Sequence, residues 1–149
     1  MKKSFDNHLT KIYTMSLKKY ILINVFLVNI PLTLIFSILF NSKENSLSLL
    51  FLVSCSILIS IVYSILRYKF CKSLKEKKLS FSQIRTSFII QGIIGFGFFI
   101  SLFNIKPKAP LYLNISFFLL FSIIEGALFG ISMFYCLKKY LSLYIDKEL

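Results

Sequence analysis

The sequence predicts an all-α membrane protein: a four-transmembrane-helix bundle with both termini cytoplasmic, short outer turns and amphipathic cytoplasmic end segments. Three observations carry this. Hydrophobic residues make up 56% of the 149 and mean hydropathy is +0.76, above the roughly 45–50% apolar usage of soluble domains. The apolar residues gather into four runs, each near the ~20 residues that cross ~30 Å of hydrocarbon. The 18 Lys and Arg residues flank those runs.

Residues 1–20 form a basic tail, with Lys2, Lys3, Lys11, Lys18 and Lys19 against Asp6. Phe5, Leu9, Ile12 and Tyr13 recur at helical spacing, so the tail is read as an interfacial amphipathic helix or a disordered segment. Met15 offers a second translation start. The membrane domain spans 21–136. Its first span, 21–40, is too long for a signal-peptide core and lacks a small-residue cleavage site. Pro31 frees a carbonyl near the bilayer centre and is expected to kink the helix.

A polar turn, 41–46, leads to the second span, 47–66. The segment 67–85 is read as the largest hydrophilic loop, with Arg67, Lys69, Lys72, Lys75, Lys77, Lys78 and Arg85 against Glu76. Ser80 and Gln83 fit a capping box, and Leu79 and Ile84 a hydrophobic staple, so the third helix starts before its span at 86–103. Lys106 to Pro110 is a stiff turn, and Pro110 suits the first turn of the fourth helix. The fourth span is 111–136. In the tail, 137–149, Leu137, Tyr140, Leu141, Tyr144 and Ile145 continue an apolar face.

Fifteen of the eighteen basic residues fall in the N-terminal tail, the 67–85 segment and the C-terminal tail. The positive-inside rule therefore places both termini in the cytoplasm. The expected location is a bacterial cytoplasmic (inner) membrane.

Apolar side chains gain little by leaving lipid for one another, so helix association needs close packing and interhelical hydrogen bonds. Each span carries small or polar residues at i, i+4, i+8, on one helix face. These are Asn29, Thr33, Ser37; Ser56, Ser60, Ser64; Ser87, Gln91, Gly95, with Gly92 and Gly97 nearby; and Ser122, Gly126, Gly130. The Gly126–Gly130 GxxxG is read as packing within the bundle in preference to a homodimer seam.

Glu125 lies near the middle of the fourth span, at a depth where an ionisable group is costly. It is expected to face the bundle as a protonated carboxyl, in a polar site with Asn29, Gln91 and Ser60 and with Asn29 as partner. Catalysis is not legible. His8 sits alone in the tail, no carboxylates pair at one depth, and no cluster has metal-ligand spacing. No cofactor and no metal are expected. The +12 charge lines the bilayer surface, which favours lipid over nucleic acid.

The functional expectation is a non-enzymatic membrane protein that recognises another membrane protein laterally, of an immunity, entry-exclusion or accessory-subunit kind, by analogy of size and topology alone. The alternative is a small proton-coupled transporter, dimeric, built around Glu125.

Overall fold

The computed structural model describes residues 2–40, 49–105 and 109–141. The turn at 41–46, residues 106–108 and the tail beyond 141 lie outside them. Among the described residues there are five helical stretches and no strand: α1 (Lys2–Thr14), α2 (Leu17–Leu39), α3 (Leu49–Lys75), α4 (Phe81–Leu102) and α5 (Leu111–Leu141). Helices α2 to α5 are long and apolar enough to cross a membrane, so the chain is a multi-pass helical bundle.

The helices outrun the apolar runs at the basic end. Arg67 to Lys75 is the last part of α3 and not a loop. Charge does not stop a helix when one face is buried, and here Tyr68, Cys71 and Leu74 supply that face. The turn is confined to the residues after Lys75. Lys78 N–H donates to Ser73 O (3.0 Å) and Lys77 N–H to Leu74 O (3.1 Å), while Lys77 takes φ 54°. That is a Schellman cap with lysine where glycine is usual. Next, Ser80 Oγ accepts from Gln83 N–H (3.3 Å) and Gln83 Oε1 from Ser80 N–H (2.9 Å), the expected capping box. At the start of α5, Pro110 stands just outside the helix, and its carbonyl accepts from Asn114 N–H at 3.1 Å.

Two spans contain π-helical turns. In α2 the turn covers Asn24–Asn29, with Ile30 N–H donating to Val25 O. Pro31 explains its place: it has no N–H for the Leu27 carbonyl, and its ring crowds that carbonyl. A widened turn relieves both. In α4 the π turn covers Gly92–Gly97.

Successive spans are neighbours, and Phe36 of α2 also meets the Phe99 ring of α4 at 5.5 Å. α2 packs on α3, α3 on α4 and α4 on α5, while α2 and α5 meet at most marginally. Polarity in the membrane is inverted relative to a soluble core. The buried positions include Ser56, Ser64, Ser122 and Thr33, and large side chains such as Leu27, Ile38 and Leu50 face outward. Lipid offers apolar groups as good a solvent as a core does, so small residues take the contacts.

Among the described residues the apolar core cluster lies at the basic end, where water is near and burial is favourable. There α1 lies across the bundle, with Leu9 and Ile12 buried beside Tyr68, Cys71, Leu74 and Leu141. Asp6 pairs with Lys75 at 2.9 Å. Tyr68 Oη donates to the Met15 carbonyl at 2.9 Å, and the Phe5 ring meets that of Tyr140. The N-terminal tail is thus a docked amphipathic helix.

Candidate functional site

Two polar places occur within the spans. The first is a cleft of about 270 Å³ bordered by all four spanning helices. Both π turns line it, through Asn24, Val28 and Asn29 on α2 and Gly92, Gly95 and Phe96 on α4. π turns recur at functional sites because they re-aim side chains out of the ordinary helical register. Arg67 reaches in from α3. Its Nη1 donates to Gln91 Oε1 at 3.1 Å, and its guanidinium carbon lies 5.7 Å from the centroids of the Phe70 and Phe88 rings. Gln91 is 6% exposed. No carboxylate among the described residues pairs with Arg67.

The second place is a pocket of about 520 Å³ between α4 and α5, toward the end opposite the basic one. Glu125 and Ser101 line it, with Asn104 and Asn114. Glu125 Oε2 and Ser101 Oγ are both buried, and neither has a hydrogen-bond partner among the described residues.

The structure therefore divides the expected polar site. Asn29, Ser60 and Gln91 line the cleft together; Glu125 lines the other pocket. The expected Asn29–Glu125 pair is not made. Asn29 Nδ2 donates to Ser56 O at 2.6 Å, and Thr33 Oγ1 to Ser56 Oγ at 3.0 Å, so this polar group joins α2 to α3. A helical side chain leans toward its own helix N-terminus. In α5 that direction carries the Glu125 carboxyl toward the Leu111 end of the helix and away from Asn29. Phe96 and Phe129, stacked at 4.3 Å, line the cleft but not the Glu125 pocket.

The small residues sort by neighbour. Gly126 and Gly130 on α5 meet the backbone of α4: a Cβ on Gly126 would stand 2.7 Å from Gly92 O, and one on Gly130 2.8 Å from Ile89 Cα. A Cβ on Gly97 would run into the Ser122 carbonyl. Gly95 instead faces the Tyr63 ring, so the Gln91–Gly95 edge of α4 looks toward α3 and the cleft. Ser56, Ser60 and Ser64 are buried along α3, and the Ser64 Oγ has no partner among the described residues.

Arg67 and Ser101 are the site residues that sequence reasoning missed. Arg67 was counted with the loop charges, although it closes the second apolar run. Ser101, four residues after Gly97, completes no row of three small or polar residues at i, i+4, i+8. Cys55, Cys71 and Cys136 are free thiols.

Comparison with protein-family models, with curated proteins and with solved structures gives no match.

Proposed function

We propose that this is a non-enzymatic membrane protein that recognises another membrane protein laterally through α5, with Glu125 as the polar anchor. One observation carries the reading. Glu125 Oε2 is a buried carboxyl oxygen with no partner among the described residues, on a helix whose packing is chiefly against one neighbour. An unsatisfied polar group in hydrocarbon costs several kcal/mol, so a polar group from a second chain would be held there firmly. Ser101 Oγ, orphaned in the same pocket, would supply a second contact. Leu120, Ile124 and Leu128 are exposed on α5 and offer apolar area around the anchor. The partner kinds that suit this anatomy are those of immunity, entry exclusion or an accessory subunit. In this reading the protein sits in a bacterial inner membrane with both termini in the cytoplasm, and the Lys and Arg excess at the basic end supports that orientation.

A photo-reactive amino acid at Leu120 or Leu128 tests this in native membranes. The reading expects one discrete protein adduct larger than a homodimer or distinct from it. Adducts with lipid alone would refute it.

A second reading has an observation of its own: the Glu125 pocket also holds Asn104 and Asn114, side chains that suit water and ions. In that reading the chain is a proton-coupled transporter, and Glu125 exchanges a proton during turnover. Glu125→Gln separates the two. Glutamine keeps the hydrogen bonding but releases no proton, so it preserves recognition and abolishes transport.

A further inference from the structure

We propose that the cleft binds an anionic phospholipid, its phosphate on Arg67 and one acyl chain laid between α2 and α5. This rests on different residues from the Glu125 reading and stands or falls separately.

The first argument is charge. Arg67 is half-buried, its guanidinium aimed into the cleft, and its hydrogen-bond partner there is the neutral Gln91. A guanidinium has five N–H donors in a fork that matches phosphate oxygens. A cation at the edge of the hydrocarbon without a counter-charge is costly, and a bound anion removes the cost.

The second argument is the distribution of polarity along the cleft. Asn24, Tyr63, Arg67 and Gln91 lie at its basic end, while Leu32, Ile59 and Phe99 line it further along the spans. A head-and-tail amphiphile matches that gradient; a small free anion matches only one end.

The third is access. α2 and α5 both line the cleft yet meet at most marginally, so it opens sideways between them, toward the bilayer. The π turns of α2 and α4 line the cleft that this opening leads into. Lys69 and Lys72, two and five residues beyond Arg67 on α3, raise the local concentration of anionic headgroups.

The chain has no tryptophan, so Phe99→Trp places a single, selectively excitable tryptophan in the apolar part of the cleft, at a side chain 4% exposed and shielded from bulk lipid. The full chain is reconstituted in phosphatidylcholine vesicles. A minor fraction of either dibrominated phosphatidylglycerol or dibrominated phosphatidylcholine serves as quencher. The expected result is a roughly five-fold preference for the anionic lipid, the factor one basic residue gives near a surface. Arg67→Gln should erase the preference, Arg67→Lys should retain most of it, and inorganic phosphate should leave it unchanged. Equal quenching by the two lipids, or a preference that survives Arg67→Gln, overturns the proposal. Displacement by inorganic phosphate also overturns it, by assigning the cleft to a free anion. If Phe99→Trp does not fold, native mass spectrometry of the unaltered chain decides instead. One phosphatidylglycerol retained by the wild type and lost in Arg67→Gln supports the proposal, and equal retention refutes it.

Discussion

Arg67 Nη1 donates to Gln91 Oε1 across 3.1 Å, joining α3 to α4 inside the membrane region with a single charge and a neutral acceptor. The pair sets the polarity of the cleft. Replacing Gln91 with Leu leaves the guanidinium without that acceptor and should lower stability by about 1–2 kcal/mol. Gln91→Glu supplies a counter-charge, should recover or exceed the wild-type melting temperature in detergent, and should abolish selection of anionic lipid. Melting curves of the two variants beside wild type check the order.

The contact between α4 and α5 is backbone on backbone. Gly92→Ala places a methyl 2.7 Å from Gly130 N, and Gly126→Ala one 2.7 Å from Gly92 O. Neither obstacle can rotate away, so each variant should lose about 1–3 kcal/mol. Gly95→Ala meets only the Tyr63 ring, a side chain free to turn, and should lose less. Unfolding by a denaturing detergent titrated into mild micelles ranks the three.

Local signals were legible before the structure. The Ser80–Gln83 capping box depends on four consecutive residues, and the serine row of α3 on an undisturbed i+4 repeat. The glycine face of α4 was not legible as a face. Gly92 and Gly97 are five apart, about 140° apart around an ordinary helix, and only the i→i+5 pattern of a π turn brings them toward one side. Arg67 was hidden by a hydropathy boundary drawn where the helix does not end. The depth of Glu125 was readable, but the lean of its side chain toward the helix N-terminus assigns it to the pocket with Ser101.

Lys77 holds a left-handed conformation at φ 54°, which costs a residue with a Cβ about 1 kcal/mol or more. Lys77→Gly keeps both cap hydrogen bonds and should stabilise the α3–α4 turn by about 0.5–1 kcal/mol. A higher melting temperature with unchanged helix content is the expected outcome.

His8 links α1 to pH. Its imidazole is partly desolvated, and the nearby charges of Arg67 and Lys11 add to that, so its pKa lies below the ordinary 6.5. The docked state therefore resists protonation more than the detached one. Docking of α1 is at full strength above about pH 6.5 and weakens as the pH falls through that value toward the lower folded pKa. A spin label at exposed Asn7 should gain mobility on acidification, and His8→Asn should flatten the response.

The asparagine and threonine of α2 act as a unit on Ser56. Thr33→Val removes one interhelical hydrogen bond and should cost about 0.6 kcal/mol, with ~1.7 as the ceiling for such bonds in membranes. Ser56→Ala removes the same bond from the other side, so the double variant should cost little more than either alone.

Glu125 decides the central claim. With the photo-reactive group at Leu128, adduct yield is measured in native membranes for wild type, Glu125→Gln and Glu125→Leu. Lateral recognition predicts a discrete protein adduct that Gln preserves and Leu reduces at least ten-fold, the factor that 1.4 kcal/mol gives. A yield unchanged by Leu would contradict it.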